Sequence, residues 1–230
     1  MSWFSRFDRF LSGHMVRSQD LHYSCGMACI VMVNFKIKKG LMFAGMSAGA
    51  ALQVVPVIGS YLGATLAQSA FDYAVASEKE VYALAEKAKG SPNDFNVCGV
   101  SLGLYPQVLA DLGLGTWECV NVGEGGIVQA CIDSTNAGAP VILNTHWDAG
   151  GDHAVCVDET HSFFGTRYLC VCDPGDGELR LITGTAGSTV RYDGGDTPIS
   201  THTIFGGSAI GYTPGANNKG KFDGWIVRRK

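Results

Sequence analysis

The feature that most restricts how this chain can fold is a change of pattern at Gly138. Downstream of it come short apolar or alternating runs separated by Gly, Asp and Pro turns. PVILNT (140–145), HAVCVD (153–158), RYLCVCD (167–173), ELRLI (178–182), STVRY (188–192) and GWIVRR (224–229) each read as a strand. Upstream the signals are helical. Helices first and mostly antiparallel strands second is the order of an α+β fold. A length of 230 residues suits one domain spanning 1–230.

Within the helical half, CGMACIVMVNF (25–35) is apolar on nearly every face, which predicts a helix buried all round. SEKEVYALAEKAK (77–89) predicts an amphipathic helix. Ser77 is its N-cap, Glu80 closes a capping box, and Val81, Leu84, Ala85 and Ala88 form the apolar stripe. Further helices are expected near 101–112 and 126–136. Trp3, Phe4, Phe7, Phe10 and Leu11 recur at helical spacing, so the first 20 residues are expected to form a helix docked on the core.

No charged residue occurs from Gly40 to Phe71. Pro56 divides the run into halves shorter than the ~20 residues a membrane-spanning helix needs. Gly45/Gly49 and Gly59/Gly63 stand four apart, a spacing that lets helices approach closely. The expectation is an apolar, Gly-rich helical hairpin inserted at 36–76. Contact with a membrane through 40–71, or cover by a partner, is the alternative.

Composition excludes several classes. Charged residues are 17% and hydrophobic ones 46%, which is too apolar for a disordered chain. Glycine numbers 31, nearly twice the usual share of about 7%, but without the period of collagen. A net charge of −4 offers no footprint for nucleic acid. The N-terminus places Arg6, Asp8 and Arg9 where a signal peptide needs an apolar stretch. The eight cysteines, several inside apolar runs, therefore read as thiols made in a reducing cytoplasm.

Three segments carry candidate chemistry. In Gln19-Asp-Leu-His-Tyr-Ser-Cys25-Gly26-Met27-Ala28-Cys29 a cysteine opens the buried helix, where the macrodipole favours thiolate. The free N–H groups of that first turn can stabilise an oxyanion, and Gln19 can swing its amide toward the same spot. Gly26 is expected to admit a substrate backbone. His153, at the start of a strand after Gly150-Gly151-Asp152, is placed to act as general base. Asp173-Pro174-Gly175, ending the next strand, can hold the second ring nitrogen of that histidine.

The order Gln19, Cys25-Gly26, Ala28-Cys29, Met32, His153, Asp173-Pro174 resembles the papain-like cysteine peptidases. It is most similar to the bacteriocin-processing, double-glycine peptidases. That resemblance implies a buried catalytic helix on a mostly antiparallel sheet. It makes Cys25 the nucleophile, His153 the general base and acid, Asp173 the orienting residue and Gln19 an oxyanion donor. It also implies cleavage of a protein or peptide at small or Gly-Gly sites. No ATPase or transporter portion follows the motif. The expectation is therefore a stand-alone bacterial effector or toxin, delivered by a specialised secretion system and met by an immunity or chaperone protein.

Two other functions use the same residues differently. A deamidase, transglutaminase or cell-wall amidase would share the triad, and a peptide-binding or membrane-active protein would not use it. His14, His22, His161 and His202 are expected to be structural or solvated, and His146 is the one competitor for the base. Cys170 and Cys172 fall on one strand face near Cys156 and His153. Structural zinc prefers thiols about two to four residues apart on a turn, so neither metal nor cofactor is expected. Gly123-Glu-Gly-Gly126 and Gly184-Thr-Ala-Gly187 lack the lysine of a phosphate loop.

Overall fold

Period-two alternation sorts the C-terminal half of the chain onto two faces of one sheet. The computed structural model describes residues 3–10, 12–46, 77–193, 201–205 and 219–230. Its central sheet contains β3 (Trp117–Asn121), β4 (Val141–Trp147), β5 (Asp152–Phe163), β6 (Thr166–Asp173), β7 (Glu178–Gly184) and β10 (Lys219–Arg229). The order is β3-β10-β4-β5-β6-β7, every pair is antiparallel, and β8 (Arg191–Asp193) pairs with β10. Ile142, Ala154, Cys156, Cys170, Cys172 and Val227 belong to one buried cluster. Their sequence neighbours Leu143, Val155, Val157, Leu169, Val171 and Ile226 belong to the other. Each fully buried aliphatic side chain contributes about 1.5–3 kcal/mol. A slip of one residue would turn both sets inside out, so the register is strongly specified.

Helices cover both faces, giving a mixed α+β architecture. On the first face lies α1 (Cys25–Met46, 22 residues), packed along β5. Its other sides meet α2 (Glu78–Lys89), α3 (Tyr105–Asp111) and β2 (Gly13–Arg17), which is why Met27 to Val33 are all 4% exposed or less. The second face is covered by α4 (Ile127–Asn136), with Ile127, Val128 and Cys131 fully buried. α1 continues through Gly40 to Met46, so the first residues of the expected insertion are its last turns. The remainder, 47–76, lies outside the described residues. Among the described residues no helix is long and apolar enough to cross a membrane.

The N-terminus departs from expectation. Instead of a helix, β1 (Trp3–Phe7) and β2 form an antiparallel hairpin, with β9 (Thr201–Phe205) on the other side of β1. The cause is turn chemistry at Asp8. Its Oδ1 accepts the N–H groups of Phe10 at 2.8 Å and Ser12 at 2.9 Å, while its own N–H donates to the Ser12 carbonyl at 3.1 Å. This side-chain turn outcompetes the helical spacing of the aromatics. Arg6 then reaches the end of β7, bonding Glu178 at 3.0 Å and the Gly177 carbonyl at 3.1 Å.

Glu78 illustrates how the helical half is tied together. Ser77 caps α2 through the Glu80 N–H, and Gly90 ends it with φ 75°. Glu78, in the first turn and only 1% exposed, accepts from Arg17 at 2.8 Å, Ser24 Oγ at 2.9 Å and the Tyr82 hydroxyl. It thereby fixes the segment between β2 and α1 from both ends. Glu78→Ala leaves the Arg17 guanidinium buried with only Asp20 as a carboxylate partner. Breaking a buried pair in this way costs about 3–5 kcal/mol. Urea denaturation is expected to show that loss.

Candidate active site

Ser24 accepts the Ala28 N–H at 3.0 Å, so Cys25 stands in the first turn of α1, where N–H groups have no intrahelical partner. Its Sγ accepts the Ala154 N–H at 3.5 Å and the Gly26 N–H, and it is hydrogen-bonded to His153. Burial alone would push the thiol up. The His153 charge and bond, with the two backbone N–H groups, outweigh that and hold Cys25 below the ordinary thiol range. Cys29, one turn further in and fully buried without such partners, is raised instead.

Gly26 is glycine for a different reason than expected. A Cβ there would lie 1.6 Å from the Tyr105 hydroxyl, so α3's tyrosine fills the space reserved for a substrate backbone in the sequence reading. Gly150 and Gly151 have open space around them and φ of 92° and 96°. They serve the turn that brings β5 back beside β4.

His153 and Asp173 meet through strand register. Cys156 stands opposite Cys172, which places His153 and Asp173 on the same face as a diagonal cross-strand pair. His153 Nε2 lies 2.7 Å from Asp173 Oδ1, leaving Nδ1 for Cys25. Burial opposes the imidazolium, but the Asp173 charge and bond and the Cys25 partner win, and His153 is pushed up to about 10. The two shifts both favour a thiolate–imidazolium pair, and the two groups titrate as a unit.

Asp173 is 1% exposed and fully occupied. Oδ1 also accepts the Gly175 N–H at 2.8 Å; Oδ2 accepts from Arg180 at 3.0 Å and from the Tyr192 hydroxyl. Against the cost of burial, His153 and these donors hold the carboxyl well below its usual range. Trp147 stacks on His153, with ring centroids 5.6 Å apart at 22°, and also touches Tyr192. Sequence reasoning missed Arg180, Tyr192 and Trp147. One signal was available for Arg180: a lone cation inside an apolar strand, seven residues after the carboxylate it faces.

Gln19 lies beside Cys25 in one cleft of about 900 Å³, within the range of small-molecule and peptide sites. Its backbone N–H donates to the Pro174 carbonyl at 2.7 Å, which ties it to the Asp173 turn. Its side-chain NH₂ is engaged by the carbonyls of Leu21 at 2.8 Å and His22 at 2.9 Å. Both hydrogens of that amide are thus committed within its own loop. His146 does not join the cluster: it is exposed and bonded to Asp152 at 2.9 Å. The structure therefore gathers Cys25, His153 and Asp173, with Gln19 adjacent and turned inward. No family model and no curated protein matches this chain.

Proposed function

We propose that this protein is a cysteine peptidase of papain-like fold that cleaves a protein or peptide substrate. The observation that carries the reading is Cys25 at the N-terminus of a buried helix, facing an imidazole whose far nitrogen Asp173 holds at 2.7 Å. The Cys25 thiolate attacks the scissile carbonyl, and the oxyanion forms against the free backbone N–H groups of the first turn of α1. Gln19 adds a donor by releasing either the Leu21 or the His22 carbonyl. His153 protonates the leaving amine through Nδ1, and water then hydrolyses the thioester. Tyr23 and Trp225, 51% and 44% exposed, flank the cleft and offer apolar surface to an extended polypeptide.

Iodoacetamide labelling at mildly acidic pH, mapped residue by residue, tests the activation of Cys25. Cys119 lines the same cleft without a histidine partner and is raised by burial, so it is the internal control. Cys25 is expected to label well ahead of the other seven thiols. The reactive pair is lost by protonation of the thiolate on the acid side, and by loss of the His153 proton near pH 10 on the alkaline side. Equal, slow labelling of all eight cysteines would remove the basis of the proposal and favour a peptide-binding module.

A further inference from the structure

We propose that Asp8, His14, His161 and Cys170 form a structural zinc site that clamps the N-terminal hairpin onto the central sheet. The four come from the turn after β1, from β2, from β5 and from β6, and their ligand atoms all lie within 4.8 Å of one another. They converge on one oxygen. Asp8 Oδ2 is 2.6 Å from His161 Nε2, 3.4 Å from His14 Nε2 and 3.5 Å from Cys170 Sγ. Bonds of about 2.0–2.3 Å to a tetrahedral ion separate neighbouring ligand atoms by about 3.3–3.7 Å. Two of the three separations already fit, and the third opens by less than 1 Å.

The surroundings hold the ligands in the state a metal requires. Asp8 Oδ1 is occupied by the N–H groups of Phe10 and Ser12, which leaves Oδ2 to point inward. His14 Nδ1 lies 2.7 Å from Asp158 Oδ1. Donation from Nδ1 to that carboxylate frees Nε2 as a lone-pair donor, the usual outer-shell arrangement at zinc histidines. Asp158 is itself excluded from the ligand set by Lys36, whose ammonium sits 3.3 Å from its other oxygen. Without a metal, three donors compete for one carboxylate oxygen in a pocket where Asp8 and His14 side chains are fully buried. With Zn²⁺, the carboxylate and a thiolate balance the ion's charge and both imidazoles stay neutral. His161, 17% exposed, gives the ion its route in. Mixed N, O and S donors in a tetrahedron suit zinc rather than calcium or magnesium.

Motif spacing did not point here, because no two of these ligands form a short Cys or His pair. The site leaves Cys172 and Cys156, weighed in the sequence reading, outside the set. It is also separate from the proposed chemistry: Cys170 precedes Asp173 by three residues, about 10 Å of strand.

Cobalt(II) titrated into the chelator-treated, folded full-length chain tests the assignment. One equivalent is expected to bind, giving the intense ligand-field bands of tetrahedral cobalt and a thiolate-to-metal charge-transfer band. Cys170→Ser is expected to lose the charge-transfer band. Asp158→Asn keeps all four ligands and is expected to weaken binding about 10–100-fold, which covers the case where the serine variant fails to fold. Cys25→Ala is expected to give the wild-type spectrum, so failure of the peptidase reading leaves this result untouched. Absence of the charge-transfer band in the folded wild type, or its persistence in Cys170→Ser, would overturn the proposal.

Discussion

Cys25→Ala is expected to reduce substrate cleavage by about 10⁶-fold, leaving only what binding and the oxyanion hole supply. The size of the effect follows from what the side chain does in the proposed reaction. Without Sγ there is no covalent intermediate, and His153 has neither a thiol to deprotonate nor a thiolate to pair with. The fold is expected to survive. Cys25 is only partly buried, and its loss frees the Ala154 N–H, 3.5 Å away, the Gly26 N–H and one nitrogen of His153. Comparing new N-termini in cells expressing the wild type or the variant measures the loss and identifies the cleaved proteins. Intact-mass measurement of those proteins separates cleavage from deamidation or crosslinking. A folded Cys25→Ala protein that still cleaves would end the proposal.

Asp173→Asn is expected to lower kcat by about 10⁴-fold, with much less effect on KM. The carboxylate holds the proton on His153 Nε2 and stabilises the imidazolium. An amide at the same place can instead donate to Nε2, which moves the proton to the nitrogen that must serve Cys25. The stability cost is about 3–5 kcal/mol, since Arg180 and Tyr192 also lose their anion. Arg180 keeps Asp176, 3.1 Å away, so it is not stranded. The same substitution removes the main cause of the raised His153 pKa, so the alkaline limb of the rate profile moves down from about pH 10 toward neutrality. An alkaline limb that stays near pH 10 in the asparagine variant would show that another group holds the imidazolium.

The strands that carry the site were legible because their patterns have one physical reading. The short apolar run HAVCVD, opened by Gly-Gly-Asp, reads as a strand buried on both faces, and β5 runs through it, buried from His153 to Val157, and on to Phe163. Cys25 and His153 were legible through their positions at the starts of such elements. What escaped was decided by side chains acting across long separations. The Asp8 turn reversed the reading of the N-terminus, although Trp3, Phe4 and Phe10 keep a helical spacing. β3 is an edge strand whose pairing with β10 fixes it more than its own pattern does. Glu78 looked like an ordinary first-turn acid until Arg17, Ser24 and Tyr82 surrounded it. Gln19 could be placed at the cleft from sequence, but not the two carbonyls that hold its amide.

The register that joins His153 to Asp173 also sets a clock on the ribosome. The proposed nucleophile is made early, at residue 25, whereas His153, whose bond and charge lower its pKa, lies 128 residues later, and Arg180 and Tyr192 follow after Asp173. At synthesis rates of about 5–20 residues per second, roughly ten to thirty seconds separate the emergence of Cys25 from that of Tyr192. During that interval Cys25 is an unexceptional thiol, because the strand whose Ala154 N–H and His153 ring activate it has not yet formed. On the proposed reading, a nascent copy therefore lacks the activated thiolate, which awaits a molecule finished to its last strands.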